Sequence, residues 1–315
     1  MGKWHAEAAR RAGAQLVAVV DRDVERARRI AGRAGCAIAP SLEALDAGVR
    51  PAVIHICTPT VTHDALTRSS LARGSHVLVE KPLAATAAAT AALLQLAAKS
   101  QRLLCPVHQC VFQRGVRAVL ERQSDLGEIL HVRAATCSAG AERSGADPDS
   151  VAWSILPHHL SLIERFAPGA LGTLTWMTTR PRAGEIDILG TGGAFGVTVM
   201  VSMHGRPTAH EMTIVGSRAT AHFDLFHGFA VVEKGGSSRA TKIRRPFNRA
   251  ATQILSAGSN LATRAVARQS AYPGLWELVE GFYAAVAHGA APPISASEAL
   301  AVAEASDHIW RFPSS

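Results

Sequence analysis

The 315-residue sequence has few of the residue patterns that mark metal centres or disulfide frameworks. Its five cysteines include no CxxC pair, and its fourteen histidines form no HxxxH or HExxH arrangement. These absences argue against a zinc site and indicate free thiols, the usual state in a reducing compartment. We therefore expect neither a metal ion nor a disulfide bond. The cysteines are Cys36, Cys57, Cys105, Cys110 and Cys137.

Long apolar runs are also missing. The uncharged run at residues 83–98 is too short and too rich in Ala and Thr to cross a bilayer. Residues 1–14 carry charges throughout and have no apolar centre, so they do not have the pattern of a signal peptide. From these features we expect a cytoplasmic protein with no membrane partner.

Acidic residues are absent between Glu233 and Glu277, and this stretch supplies much of the formal net charge of +8. It contains few aromatic residues, and no helix-turn-helix or zinc signature accompanies it, so we expect no nucleic-acid partner. The pattern favours a solvated loop and helix face, with attraction of an anionic substrate or cofactor as the alternative. Its cations are Lys234, Arg239, Lys242, Arg244, Arg245, Arg249, Arg264 and Arg268.

The first third of the chain alternates apolar runs with amphipathic segments. The apolar runs predict buried parallel strands at residues 15–20, 51–57, 76–79 and 103–107. The amphipathic segments predict helices at residues 23–34, 62–73 and 86–99. This alternation specifies a doubly wound parallel sheet, whose ligands bind outside the carboxyl ends of the strands. The polar residues at those ends are Asp21, Thr58, Glu80, Lys81 and His108.

The beginning of the chain has no first strand and no glycine-rich turn. A helix is predicted from Trp4 onwards, and Asp21 follows Gly2 by roughly 20 residues, the distance expected between the last fingerprint glycine and the ribose-binding acid. We therefore interpret Gly2 as that glycine and the first strand as missing, through a misassigned start or a natural truncation. Loss of this central strand would leave two neighbours unpaired. Without the amides of the turn, we expect poor binding of a nicotinamide cofactor or none.

Two motifs carry a resemblance to a known family. Residues 58–63 form a strand end with Thr-Pro and an early helical His, and residues 74–83 (GSHVLVEKPL) form a strand that ends in Glu-Lys-Pro. In this order and spacing they resemble the glucose–fructose oxidoreductase and inositol dehydrogenase (Gfo/Idh/MocA) family. Residues 108–109 (HQ) and 126–129 (LGEI) agree with it. The resemblance implies a Rossmann-like domain over residues 1–112 and a second, α+β domain over residues 113–315, with the terminal helix packing back towards the first.

The later sequence fits a mostly antiparallel sheet, because short alternating or apolar runs are separated by Gly or Pro. The predicted strands are residues 129–136, 173–179, 185–189, 194–203, 210–215, 220–225 and 229–233. Helical patterns cover residues 150–166, 274–288 and 295–310. The whole chain is thus predicted to combine an α/β domain with an α+β domain.

The resemblance also implies an activity. Members transfer a hydride between NAD(P) and a secondary alcohol or carbonyl of a sugar, cyclitol or similar polar ring, and we expect a homo-oligomer, a dimer or tetramer. Lys81 would bind the reacting oxygen, and Pro82 would follow a cis peptide bond. Asp21 favours NAD because its carboxylate repels a 2′-phosphate, while Arg22 leaves NADP open. The implied cofactor-binding residues are Gly2, Asp21, Arg22, Thr58, Pro59, His63, Glu80, Lys81, Pro82, His108 and Gln109.

The family usually places an Asp and a His four residues apart on one helix face. The best match in residues 153–165 puts His158 at the His and Ser154 at the Asp; His159 with Ile155 is the competing register. A histidine suits proton exchange because its ordinary pKa is near 6.5. Ser154 cannot offer a carboxylate, although Asp147 and Asp149 lie just upstream. Because Ser154 stands where the family has an Asp, a second hypothesis stays open: the protein is a non-catalytic, cofactor-free remnant of the family that binds a ligand or dimerises.

Overall fold

The computed structural model describes residues 1–311 except 33–34, 47, 141, 143–144, 194 and 237. Its helices are α1 (Gly2–Arg11), α2 (Val24–Ala31), α3 (His63–Ala72), α4 (Ala87–Lys99), α5 (Arg114–Leu120), α6 (Pro148–Phe166), α7 (Arg239–Val266), α8 (Leu275–His288) and α9 (Ala296–Arg311). Its strands are β1 (Ala18–Val20), β2 (Ala37–Ala39), β3 (Val53–Ile56), β4 (His76–Val79), β5 (Leu104–Pro106), β6 (Ile129–Cys137), β7 (Thr175–Thr179), β8 (Glu185–Thr191), β9 (Gly196–Ser202), β10 (Ala209–Gly216), β11 (Ala219–Asp224) and β12 (Phe229–Lys234).

The chain divides into two compact units. The first contains Met1–His108 and Leu275–Ala303, and the second contains Gln109–Gly274 and the chain from Glu304 onwards. This division differs from the predicted boundary at residue 112, because Leu275–Ala303 belongs to the first unit. Within that unit α8 packs against α1, and the Arg11 guanidinium lies 4.1 Å from the ring centroid of Trp276.

The first unit is a parallel α/β structure, as the sequence predicted. β3, β4 and β5 form one parallel sheet, and β1 pairs in parallel with β2. α2 begins where the Asp23 side chain accepts a hydrogen bond from Arg26 N, and α4 begins with the equivalent bond from Ala89 N to Thr86. β4 is central and nearly fully buried, as its continuous apolar sequence requires. The three-residue strand β2 was not predicted, because it is too short to give an apolar run.

The parallel strands of the first unit do not form one continuous sheet. Among the described residues, β1 and β2 pair only with each other, and β3 and β5 each pair only with β4. The parallel strands therefore form two separate ladders of hydrogen bonds.

The second unit is built on a seven-stranded sheet in the order β12-β11-β10-β6-β9-β8-β7. Every neighbouring pair is antiparallel except β6 with β9, so the prediction of a mostly antiparallel sheet is confirmed. Side chains along β7 and β8 alternate between buried and more exposed positions, the period-two pattern of a sheet with one covered face. The buried helix α6 packs against β6, β8 and β9.

Helix α7 differs from the structure that its sequence predicted. The predicted solvated loop and helix face is one continuous helix of 28 residues, which includes Pro246. It begins where the Ser238 side chain accepts a hydrogen bond from Thr241 N. No helix among the described residues is long and apolar enough to cross a membrane.

Candidate active site

Polar residues of the first unit follow three neighbouring strands where these strands end. β3, β4 and β5 run parallel, so their carboxyl ends share one edge of the sheet. Thr58 follows β3, Glu80 follows β4, and His108 follows β5. Two ladder bonds fix this edge: Glu80 N donates to Ile56 O at 2.9 Å, and Val107 N donates to Val79 O at 2.8 Å. Three of the predicted strand-end residues, Thr58, Glu80 and His108, thus share one edge of this sheet, whereas Asp21 follows β1, which pairs with β2.

His63 ties the two motifs together. Its Nδ1 lies 2.8 Å from Pro82 O and its Nε2 lies 2.8 Å from Thr58 O, so the ring bridges the two turns. His63 is 1% exposed. The peptide bond between Lys81 and Pro82 is cis, as the resemblance implied. In this structure His63 therefore positions the turn that carries Lys81.

A buried chain of hydrogen-bonding side chains lies behind Lys81. His5 Nε2 is 3.0 Å from Glu80 Oε1, and His5 Nδ1 is 3.0 Å from His55 Nδ1. His55 Nε2 is in turn 3.0 Å from the Tyr283 hydroxyl. The second carboxylate oxygen of Glu80 accepts from Lys81 N at 3.3 Å. This network connects helix α8 to the Glu-Lys-Pro turn inside the first unit.

Burial and nearby charged groups determine the protonation states of the histidines in this network. Burial alone would lower the pKa of His5, but Cys57 and Glu80 outweigh it and raise the pKa to about 10. Burial and the charge of His5 hold the pKa of His55 well below its ordinary value. A protonated His5 therefore donates to Glu80 and to His55 Nδ1, which leaves His55 Nε2 to donate to the Tyr283 oxygen. Burial also raises the pKa of Tyr283 to about 12.

Sequence reasoning missed the roles of His5, His55 and Tyr283. His55 offered a signal, because it is the one histidine within the predicted apolar strand 51–57. Tyr283 offered none, because 228 positions separate it from its partner His55.

Several features of the first unit fit a dinucleotide. Helix α1 begins at Gly2 with no side-chain cap and no acidic residue in its first turn, so its N–H groups and dipole suit a phosphate. Asp21 follows β1 directly and is partly exposed; its Oδ1 accepts from Asp23 N, and its Oδ2 lies 3.8 Å from Arg26. That carboxylate could accept hydrogen bonds from ribose hydroxyls. A Cβ at Gly2 would lie 3.5 Å from Ile30 Cδ1, an ordinary contact, so packing does not itself demand glycine there.

The remaining predicted residues of the first unit flank these features. Thr58, Pro59 and Arg22 are exposed, Lys81 and Pro82 are half-buried, and His108 is buried.

The second unit holds Gln109, Ser154 and His158. Gln109 is nearly buried, and its Oε1 has no hydrogen-bond donor among the described residues, which suits a bound ligand with an N–H or O–H group. Ser154 Oγ donates to Val151 O at 2.7 Å within α6. His158 is 8% exposed, with its Nδ1 3.6 Å from the sulfur of Cys110.

His159 has a different environment from His158. It is fully buried, its Nε2 lies 2.8 Å from Thr136 Oγ1, and burial with the neighbouring His210 holds its pKa well below the ordinary value. The two acids upstream have structural partners: Asp147 caps α6 through Ser150 N, and Asp149 accepts from Gly184 N. His159 thus has the contacts of a neutral core histidine.

Comparison with known proteins agrees with this architecture. Residues 1–108 match the GFO_IDH_MocA profile, described as an oxidoreductase family with an NAD-binding Rossmann fold. The first unit therefore has the parallel α/β architecture of an NAD-binding Rossmann fold. Residues 1–108 include the Thr-Pro and Glu-Lys-Pro motifs, so over these residues the chain is similar to the Gfo/Idh/MocA oxidoreductase family, as the motifs predicted.

The chain is similar to a dTDP-3,4-didehydro-2,6-dideoxy-alpha-D-glucose 3-reductase of Streptomyces violaceoruber, with 36% identity over 130 residues. That alignment spans 41% of this chain and 38% of the relative. The fold of this chain resembles that of UDP-N-acetylglucosamine 3-dehydrogenase GnnA from Acidithiobacillus ferrooxidans, with a TM-score of 0.73 and 20% identity. The superposition covers 98% of this chain and 92% of the other. The fold also resembles the WlbA dehydrogenase from Bordetella pertussis, solved with NADH and UDP-GlcNAcA, with a TM-score of 0.77, 15% identity, and coverage of 98% and 90%.

Proposed function

We propose that the protein is an NAD-dependent oxidoreductase that converts a secondary alcohol and a carbonyl into each other on a sugar, cyclitol or similar polar ring. The observation that carries this proposal is the Lys81 turn. It lies at the carboxyl edge of the parallel sheet, is tied to the Thr58 turn by His63, and is connected to His5 through Glu80. The sugar-nucleotide relatives support the substrate class. A homo-oligomeric state belongs to the same proposal.

The proposed chemistry divides between the cofactor and two side chains. The bound nicotinamide would accept or supply the hydride. The Lys81 ammonium would hydrogen-bond the reacting oxygen and stabilise the negative charge that develops when the hydroxyl proton leaves. His158 is the proposed partner for exchanging that proton, and Ser154 one turn earlier contributes a hydroxyl but no carboxylate. Asp21 would bind the adenosine ribose, and the first turn of α1 would face the pyrophosphate.

The test is an assay of reduction and oxidation with NADH, NADPH and their oxidised forms against sugar nucleotides, cyclitols and free sugars. Cofactor is supplied at millimolar concentration, because weak binding is expected when the pyrophosphate is held by the N-terminus of α1 without a glycine-rich turn. Turnover with any member of the panel, abolished by Lys81→Ala, supports the proposal. Binding of a sugar nucleotide without cofactor binding or turnover would support the ligand-binding remnant instead.

The choice between NAD and NADP gives a first prediction. Replacing Asp21 with alanine removes the carboxylate that accepts from ribose hydroxyls and repels a 2′-phosphate, so the preference for NAD should fall by about 10-fold or more. The measurement is kcat/KM with each cofactor. Asp64→Ala, at an exposed acid on α3, is the matched control and should leave the ratio unchanged. If Asp21→Ala leaves the ratio of kcat/KM with NAD to kcat/KM with NADP unchanged, another residue determines the choice of cofactor.

The two adjacent histidines of α6 give a second prediction. His158→Ala should lower kcat by roughly 10²-fold, as expected for loss of a proton-transfer group. His159→Ala should mainly lower the free energy of unfolding, because it removes a buried ring bonded to Thr136. Steady-state kinetics and urea unfolding on both variants separate the two roles. The reverse order of effects would assign the catalytic role to His159.

A further inference from the structure

Helix α7 lies on the second unit with its polar face inward. Arg245 Nε lies 2.8 Å from one carboxylate oxygen of Glu233 on β12, and Arg249 Nε lies 3.0 Å from the other. Further along the helix, Asn260 donates to His227 O, and Thr263 accepts from Arg114. The contacts of α7 with its own unit are therefore made largely by polar groups. This is the reverse of an ordinary surface helix, which buries its apolar face.

The opposite side of α7 is an exposed apolar stripe. Ile243, Phe247, Ile254 and Leu261 follow one another at intervals of four, seven and seven residues, which at 3.6 residues per turn puts them on one line. Phe247, Ile254 and Leu261 are 74%, 72% and 70% exposed. Leu255 and Val266 are also exposed, but they lie about 100° and 120° around the helix from Ile254. Large exposed apolar patches on a soluble protein mark interaction surfaces.

We propose that the apolar stripe of α7 is the contact surface for α7 of a second copy of this chain, paired antiparallel about a two-fold axis near Ile254 and Gly258. In such an isologous contact each copy presents the same patch. The small residues Ala250 and Gly258 lie between the large ones along the stripe, so large side chains of one copy fit opposite small residues of the other.

The placement of charge favours a second copy over an anionic membrane. Residues 250–263 contain no charged side chain, so an antiparallel crossing brings two neutral segments together. The cations lie towards the two helix ends, and Arg245 and Arg249 are directed to Glu233 of their own chain. A helix that binds anionic lipid needs its cations beside the apolar face, where they reach the headgroups.

The four large side chains on the line supply part of the area that a pair of copies needs. The side chains of Val, Leu, Ile and Phe each remove roughly 60–120 Å² of apolar surface from water when buried, so these four give about 240–480 Å² per copy. Specific protein interfaces bury about 600–1,000 Å² per partner. Backbone and small-residue contacts along the 28-residue helix would supply the remainder.

The experiment is light scattering after size exclusion on the full chain and on three α7 variants. The wild type should have at least twice the chain mass of 33.2 kDa. Ile254→Asp should halve that mass and weaken association by roughly 10²-fold or more, because the substitution occurs on both sides of the contact. Ile254→Ser should act in the same direction without a charge. Thr252→Asp adds the same charge on the opposite face and should leave the mass unchanged.

Three results would overturn the proposal. One is a wild type that stays monomeric at about 100 µM, a concentration at which even a dimer with a Kd of that order would be populated. Another is an oligomer whose mass is the same in Ile254→Asp and the wild type. The third is a monomer that sediments with phosphatidylserine vesicles and loses this in Ile254→Ser, which would assign the stripe to a lipid surface. Circular dichroism confirms folding of each variant, and none of these outcomes depends on the proposed activity.

Discussion

Lys81→Ala should reduce turnover by about 10²-fold or more while the affinity for NADH changes little. The ammonium would act on the reacting oxygen, and loss of one proton-transfer or charge-stabilising group costs a factor of this size. Cofactor contacts made by Asp21 and the first turn of α1 would remain. The measurement pairs kcat from steady-state kinetics with the Kd of NADH from calorimetry.

A matched control keeps this result specific. Lys99→Ala removes a lysine from the exposed end of α4 and should leave both quantities unchanged. Lys81→Arg keeps the charge but replaces a compact ammonium with a planar guanidinium, so it should recover little activity. If Lys81→Ala keeps more than half of the wild-type turnover, Lys81 is not catalytic, and the proposed role of its ammonium at the reacting oxygen is wrong.

Glu80→Gln should lower the free energy of unfolding by about 3 kcal/mol. Glu80 is 7% exposed and is bonded to the buried His5, so its loss leaves a buried cation without its carboxylate. We expect the low end of the usual range of about 3–5 kcal/mol for a broken buried pair, because His5 can release its proton. Urea unfolding at pH 7 measures the difference. Glu7→Gln, at an exposed glutamate on α1, is the control and should have no measurable effect.

The pH dependence of this difference tests its cause. The folded-state pKa of His5 is raised from 6.5 to about 10, so its proton stabilises the fold fully below pH 6.5, and this contribution is lost as pH rises towards 10. The destabilisation by Glu80→Gln should therefore shrink between pH 7 and pH 10. His55 has the opposite sign, because its lowered folded-state pKa costs stability below pH 6.5. A difference that stays constant from pH 6 to 10 would exclude the His5–Glu80 pair as its origin.

Much of the fold could be predicted because its signals are local. The strands around Ile54 and Val77 are continuous apolar runs, and the alternation along β8 marks a half-covered sheet. The seven strands of the second sheet lie within a few residues of their predicted positions. Helix α7 was not predicted as a single element, because its run of cations without acids was interpreted as a solvated loop and helix face.

The candidate site was predictable only in part. Thr58, Glu80 and His108 follow the ends of β3, β4 and β5, and neighbouring parallel strands bring such ends to one edge. Spacing favoured His158 over His159 but gave the environment of neither, because adjacent residues on a helix differ in environment only once the helix is packed. The structure gives them different partners: His159 is hydrogen-bonded to Thr136, and His158 lies beside Cys110.

The sequence by itself determined the order of strands and helices, the family motifs and the position of Lys81, since each depends on residues close together in the chain. The tertiary structure alone decided three other features. It brought Tyr283 to His55 across 228 positions, placed residues 275–303 in the first unit, and turned the polar face of α7 inward. These three features depend on contacts between segments that are distant in the chain. The periodicity of one segment does not indicate which surface of the protein that segment will pack against.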